Sequence, residues 1–170
     1  MKKMLLTCIV TSAVVLIGCV SAPKSEPITI PDIKPITYDY VIDNTSKDIL
    51  WKRARNYLAT VYGDSKSVIR VEDQGQGVII GKGIVNWKII NQTYSPNCNS
   101  NYDIRFMAKE NKARLQLELI EGVPPASKCT GWVLPSSFGY TQVEESFKNI
   151  SEGLENALKG NGAIESLSDF

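Results

Sequence analysis

The chain has 170 residues, and its 19 basic and 18 acidic side chains leave a formal net charge of +1. A balance this close to neutral argues against nucleic-acid binding, which requires a basic surface stripe. The sequence contains no histidine, which is the commonest general base and the commonest metal ligand. We therefore predict no metal site, no cofactor and no enzymatic activity.

The N-terminal segment has the pattern of an export signal. Lys2 and Lys3 precede an apolar run over residues 4–17, which is shorter than the roughly 20 residues needed to span a bilayer. The run leads into Gly18 and Cys19 through the tetrapeptide LIGC, which resembles the bacterial lipobox. The resemblance implies cleavage after Gly18 and attachment of diacylglycerol to the Cys19 thiol. An ordinary secretory signal and an uncleaved signal anchor are the alternatives.

The length that remains after processing suffices for one domain and a tether. We divide the chain into a lipoprotein signal peptide (1–18), a lipid-anchored tether (19–35), an α+β domain (36–162) and a C-terminal tail (163–170). No aspartate follows Cys19. By analogy with enteric lipoproteins, this favours the outer membrane over the inner membrane, with the domain facing the periplasm.

The tether is rich in proline, which removes amide donors and favours extended backbone in the preceding residue, so we predict a semi-rigid spacer. At about 3 Å per residue, it would hold the domain up to roughly 40 Å from the bilayer. In the alternative interpretation, its later half packs on the domain through Ile28, Ile30 and Ile33. The prolines of the tether are Pro23, Pro27, Pro31 and Pro35.

A strand, a helix and a second strand open the predicted domain. Residues 36–42 alternate between polar and apolar side chains, which indicates a strand. Thr45 and Asp48 have the spacing of a capping box, and apolar residues then recur at helical spacing as far as a stop at Gly63. Residues 67–72 form the second strand.

Three further strands complete the predicted sheet. The odd positions of residues 77–93 form one continuous apolar face, which indicates a long strand. Alternation also marks strands over residues 102–108 and 114–119, on either side of a tight turn at residues 110–112.

A second capping box, formed by Thr141 and Glu144, opens a closing helix. The resulting order, β-α-β-β-β-β-α, predicts an α+β domain. The four later strands form an antiparallel meander, and both helices pack on one face of the sheet.

The opposite face of the sheet combines apolar and basic side chains, which is typical of a binding surface. We identify Lys82, Ile84, Lys88, Arg105 and Met107 as its candidate contact residues. In the alternative interpretation, this face is covered by the tether, by the long loop after the fifth strand, or by a second copy of the chain.

The four cysteines divide by position. Cys8 lies in the signal peptide and Cys19 carries the lipid, which leaves Cys98 and Cys129 in an oxidising compartment, where a disulfide is the default. The predicted topology brings both residues to the same end of the sheet. Closing this loop would stabilise the fold by roughly 3 to 4 kcal/mol. A metal or redox site is the alternative, but it needs further ligands or a Cys-x-x-Cys spacing.

Three stretches of the chain resemble a bacterial exported family. They are residues 47–59, residues 64–69 with an Asp-Ser-Lys turn, and the Gly-x-x-x-Gly-Lys-Gly strand that begins at Gly77. The family is known as a domain of unknown function with a TATA-box-binding-protein-like (TBP-like) fold, and the resemblance covers residues 38–121. It implies a half-saddle of helices on a curved sheet and supplies no activity.

The sequence therefore predicts a lipid-anchored protein of the bacterial cell envelope that serves as a binding or structural module. Its partners would be the membrane, through the N-terminal lipid, and an envelope protein or polymer held against the open sheet face. A second hypothesis is an envelope enzyme or carrier acting on a cell-wall or lipid component, which requires a cleft with converging carboxylates or a serine. A third is a homodimer formed through the open face.

Overall fold

The computed structural model describes residues 25–62, 68–125 and 127–162. The predicted signal peptide, the lipid-attachment residue Cys19 and the C-terminal tail lie outside the described residues. The same holds for the Asp-Ser-Lys turn over residues 64–66.

Within the described residues, five strands and two α-helices follow one another in the predicted order, which confirms the α+β class. The strands are β1 (Ile36–Val41), β2 (Ile69–Asp73), β3 (Val78–Lys88), β4 (Asn97–Lys109) and β5 (Lys112–Ile120). The helices are α1 (Lys47–Val61) and α2 (Ser137–Asn156), and a π-helical turn over Ala157–Asn161 continues α2. A short 3-10 turn over Ile30–Asp32 precedes β1.

The strands form one antiparallel sheet in the order β1-β5-β4-β3-β2. Strand β3 ends at Lys88 rather than at residue 93. The predicted strand is too long because the chain turns away after β3, in a loop where Ser95 bonds to Ile90 and Gln92.

Alternation along the three central strands gives the sheet one buried face and one open face. Both helices pack on the buried face, where α1 contributes Leu50, Ala54 and Leu58. The buried side chains of α2 include Val143 and Phe147. The largest fully buried strand residues are Ile79, Trp87, Tyr102, Ile104, Phe106, Leu115 and Leu117.

Helix α1 is capped by Ser46, one residue after the predicted Thr45. The Ser46 hydroxyl accepts a hydrogen bond from the Ile49 amide at 3.4 Å. The Thr45 hydroxyl instead donates to the Asp43 carbonyl at 3.1 Å, within the preceding turn. The predicted capping box is therefore wrong by one position, because Thr45 is engaged before the helix begins.

Helix α2 begins at Ser137, before the predicted capping box at Thr141. Ser136 is its cap: the hydroxyl accepts from the Gly139 amide at 2.9 Å and donates to the Ile89 carbonyl at 2.6 Å. Thr141 lies inside the first turns of the helix, so the second capping box is also wrong. The earlier start is held by the tertiary bond to Ile89, which no local pattern reveals.

The later half of the predicted tether packs on the domain. The Ile28 amide donates to the Pro135 carbonyl at 2.8 Å, and the Ser137 amide donates to the Glu26 carbonyl at 3.1 Å. Proline does not prevent this pairing, because the neighbouring residues still supply the amides and carbonyls it needs. This contact agrees with the alternative interpretation for Ile28 and Ile33, which pack against the core, whereas Ile30 is 59% exposed.

Candidate binding surface

The sheet face that points away from the helices is uncovered among the described residues. The tether and the long loop bond to the end of β3 and the start of α2 instead. Four apolar side chains on the open face are exposed to 53% (Ile84), 45% (Val71), 44% (Met107) and 38% (Ile80). We call these four residues the apolar band.

The predicted contact residues alternate along two neighbouring strands. Lys82, Ile84 and Lys88 lie on β3, and Arg105 and Met107 lie on β4, all at positions of the open face. Lys82 and Arg105 are diagonal neighbours at the middle of the sheet, whereas Ile84 faces Asn101 and Met107 faces Val78 at the start of β3. Lys88 lies apart, at the end of β3, where its backbone amide donates to the Gln142 side chain at 3.3 Å.

The central cations of the open face are paired. Arg105 Nη1 contacts Glu118 Oε2 at 2.7 Å, and Arg105 Nη2 contacts Asp103 Oδ2 at 3.4 Å. Lys82 Nζ lies 3.9 Å from the other Asp103 carboxylate oxygen. The predicted contact residues Lys82 and Arg105 are therefore largely neutralised by two carboxylates on the same face. The alternation of β4 and β5 places both acids there, so sequence reasoning had a signal for them.

The β1 side of the open face carries a second ion pair. Arg114 donates from Nε and Nη2 to the two carboxylate oxygens of Asp39, at 2.6 Å and 2.8 Å. Hydrogen bonding to Arg114 lowers the pKa of the Asp39 carboxyl below its ordinary value. The pair is fully exposed, so its role is to fix the orientation of the guanidinium rather than to stabilise the fold strongly.

Two lysines lie directly opposite each other beside this pair, at the β4–β5 hairpin. Lys109 of β4 is in register with Lys112 of β5, and Lys112 is in register with Val41 of β1. Neither lysine has an acidic partner within the described residues. Together with Arg114 and Met107, these side chains line a concavity of about 420 Å³. We call Lys109, Lys112 and Arg114 the basic corner; the sequence does not show that the three cluster, because it places Lys112 in the predicted turn.

The end of the open face opposite the basic corner is rich in amides. Asn86 of β3 faces Asn99 of β4, and Asn97 and Asn101 lie on either side of Asn99 on the same face. These side chains are neutral, so the positive charge of the open face is concentrated at its two ends, in Lys88 and in the basic corner.

Strongly shifted tyrosines lie in the core and not on the open face. Burial raises the pKa of Tyr62 to about 12 and raises that of Tyr102 further. Their hydroxyls share a hydrogen bond of 2.5 Å. Tyr40 is likewise buried, and its hydroxyl lies 2.8 Å from the Ser151 hydroxyl. Because each group is paired inside the core, we assign these shifts to folding rather than to chemistry.

Among the described residues, no group of three or more histidine, cysteine, aspartate or glutamate side chains could hold a metal ion. No helix in the described part of the chain has the length and apolar character needed to cross a membrane.

A disulfide joins Cys98 to Cys129, with 5.3 Å between their Cα atoms, as the sequence predicts. Both residues are buried, and Cys98 lies at the start of β4. The bond holds the long loop against β4, and Trp132 of that loop packs edge-on against Trp87 of β3, with 6.1 Å between ring centroids.

Known proteins support the fold at low sequence identity. A DUF4468 family protein from Bacteroides ovatus ATCC 8483 superposes with a TM-score of 0.53 and 12% identity, over 78% of this chain and 87% of that one. A TBP-like protein from Parabacteroides distasonis ATCC 8503 superposes with a TM-score of 0.52 and 16% identity, over 76% of this chain and 97% of that one. A comparison with curated proteins found no match.

The family model described as a domain of unknown function (DUF4468) with TBP-like fold matches residues 38–121. This is the segment in which the three sequence motifs occur, and the structural neighbours have the same architecture. The resemblance stated from the sequence is thereby confirmed: residues 38–121 form a DUF4468 domain with a TBP-like fold.

Proposed function

We propose that this protein is a lipid-anchored module of the bacterial cell envelope whose open sheet face binds a partner protein. The observation that carries the proposal is the apolar band, in which Ile84 is 53% and Met107 is 44% exposed. Apolar side chains grouped on one exposed face, with charged groups around them, are typical of protein–protein interfaces.

The charges around the apolar band favour a protein over a highly charged polymer. Arg105 is bonded to Glu118 and Asp103, so the centre of the face carries little uncompensated charge. A partner can bury such a centre without supplying a counter-charge for each group. The apolar contacts would provide affinity, and the ion pairs would provide register and specificity.

Anchoring at Cys19 is supported by the lipobox-like sequence and has a geometric consequence. Residues 25–35 pack on the domain, so a lipid on Cys19 would be joined to it by residues 20–24 alone. Such a spacer spans roughly 17 Å at most. It would hold the end of β3 and the start of α2 close to the membrane.

Site-specific photocrosslinking in cells tests the binding face. A photoreactive amino acid at Met107 should give a discrete crosslinked product, because the side chain is exposed within the apolar band. The same amino acid at Lys148, on the exposed side of α2, is the matched control and should give none. Adding the Ile84→Asp substitution should abolish the Met107 crosslink, since it places a charge in the apolar band.

Three results would count against the proposal. Equal crosslinking from Met107 and Lys148 would show that the open face is not selective. Crosslinking that persists in the Ile84→Asp variant would show that the apolar band does not hold the partner. A product of twice the monomer mass would identify the homodimer instead.

For the anchor, Cys19→Ser should release the protein from membranes, and release of wild type and variant alike would reject lipid attachment.

A further inference from the structure

We propose that the basic corner binds an acidic segment of the partner protein; this inference rests on the proposed function and specifies the chemistry of the partner. The corner consists of Lys109, Lys112 and Arg114. Val41 and Met107 line its concavity with apolar side chains, and Asp39, whose carboxylate is neutralised by Arg114, also lines it. Its concavity of about 420 Å³ is large enough for a few side chains of an extended peptide.

The open face contains two like-charge pairs, and only one of them is compensated within the described residues. Asp103 and Glu118 lie directly opposite each other, and Arg105 contacts both carboxylates. Lys109 and Lys112 also lie directly opposite each other, with no acidic side chain between them. Like charges in this arrangement destabilise a sheet. An external anion would give the lysines the compensation that Arg105 gives the acids.

The neighbouring groups favour a peptide carboxylate over a phosphate. The Arg114 guanidinium, which has the planar fork suited to phosphate, already donates to both Asp39 oxygens. The two lysines that remain are point charges on flexible stems, without a preference for that geometry. Val41 is 76% exposed beside them, so a ligand that fits must carry an apolar group next to its anion. A segment that alternates acidic and apolar residues meets both conditions.

The position of the corner argues against lipid headgroups as the anion. Ser25, the first described residue, bonds to the Ile89 carbonyl just beyond the end of β3. The basic corner lies at the other end of the sheet, since β4 runs from Asn97, opposite Lys88, to Lys109. At about 3.3 Å per residue, this separates the two ends by roughly 40 Å. A membrane reached through residues 20–24 would therefore lie near the Lys88 end of the sheet, away from the basic corner.

Fluorescence anisotropy with a defined probe tests the inference. The protein is expressed with its own N-terminal segment and purified in non-ionic detergent, and the probe is a labelled peptide of alternating glutamate and leucine. We expect salt-sensitive binding that the Lys109→Gln/Lys112→Gln variant weakens about five- to tenfold. The Lys148→Gln/Lys159→Gln variant has the same change in net charge on the helix side, and it should bind the probe as the wild type does.

Each other outcome has one meaning. A probe that does not bind, or that binds the corner variant as tightly as the wild type, overturns the inference. Equal binding of a lysine–leucine peptide does so as well. Binding of phosphatidylglycerol vesicles through the two lysines, without peptide binding, would assign the corner to lipid headgroups.

The photocrosslink at Met107 separates the failure of this inference from the failure of the proposed function. If the Lys109→Gln/Lys112→Gln variant keeps the crosslink in cells at full yield, the corner is dispensable and the proposed function stands. If the wild type gives no crosslink from the open face, the proposed function itself fails. Loss of the crosslink in this variant, with the Lys148→Gln/Lys159→Gln variant unaffected, is the result that the inference requires.

Discussion

Replacing Gly83 by alanine should destabilise the contact between the sheet and α2, because the ring of Tyr102 occupies the space beside Gly83. A Cβ atom added at Gly83 would lie 2.3 Å from Tyr102 Cζ and 2.5 Å from its hydroxyl oxygen. The ring has little freedom to move aside. It is 1% exposed, its centroid lies 4.8 Å from that of Phe147, and its hydroxyl bonds to Tyr62.

The size of the effect follows from these contacts. Inserting one carbon into a well-packed core costs about 1–3 kcal/mol. A shift of the Tyr102 ring would also break its buried hydrogen bond to Tyr62, which costs about 0.5–1.5 kcal/mol. We therefore expect Gly83→Ala to lower the free energy of unfolding by about 2–4 kcal/mol, a large share of the stability of an ordinary domain.

Urea denaturation followed by tryptophan fluorescence measures this difference. Gly131→Ala is the matched control, because a Cβ added there meets no atom within 4 Å, and its effect should stay within about 0.5 kcal/mol. In a Tyr102→Leu background the additional cost of Gly83→Ala should largely vanish, because the ring is gone. Wild-type stability of Gly83→Ala, or an unchanged cost in the Tyr102→Leu background, would refute the reasoning.

Three further predictions concern stability. Reducing the Cys98–Cys129 bond, which joins residues 31 apart, should lower the free energy of unfolding by roughly 3–4 kcal/mol; urea midpoints that are equal with and without reductant would contradict this. Burial raises the pKa of Tyr62 from 10.0 to about 12, so its contribution to stability is complete below pH 10 and is lost as the pH rises from 10 to 12. The Tyr62→Phe variant should lose stability less steeply in that window, as measured by urea midpoints against pH, and an equal slope would reject this assignment. Ser136→Ala removes the cap of α2 and the bond to Ile89. It should cost about 1–2 kcal/mol by the same assay, and a loss below about 0.5 kcal/mol would show that neither bond matters.

The sheet could be predicted from the sequence because side-chain direction in a strand depends only on position. Tyr102, Ile104 and Phe106 share one parity and are all buried, while Asp103 and Arg105 share the other parity and reach the open face. Two helices with apolar stripes then have only one apolar sheet face to cover. The element order and the open face follow from this local information.

The start of α2 and the choice between the two interpretations of the tether could not be predicted, because tertiary hydrogen bonds decide them. Ser136 caps α2 while bonded to Ile89, which lies 47 positions earlier in the chain. The Ile28 amide finds its acceptor in Pro135. Serine is a favourable cap residue and proline favours extended backbone, but local sequence does not show which tertiary partner each will meet.

The basic corner was missed for a more specific reason, which is the length of one turn. The sequence predicts a turn over residues 110–112, which removes Lys112 from the strand. The structure instead has a two-residue turn in which Asn111 adopts a φ of 61°, and Asn111 tolerates this left-handed conformation better than most residues. Lys112 therefore begins β5 and faces Lys109 directly. One residue of turn length thus decides whether the two lysines share a face.

The bonds that secure the tether and the uncompensated lysines lie at opposite ends of the domain, so anchoring and binding are compatible. The hydrogen bonds of Ser25 and Ile28 and the Cys98–Cys129 disulfide all secure the same end of the domain. A lipid on Cys19 would pull on that end, where these bonds join the tether and the long loop to the sheet. The uncompensated lysines lie at the other end of β4. Attachment to a membrane would therefore leave the basic corner and the adjoining apolar band accessible, and a partner could bind there without competing with the anchor.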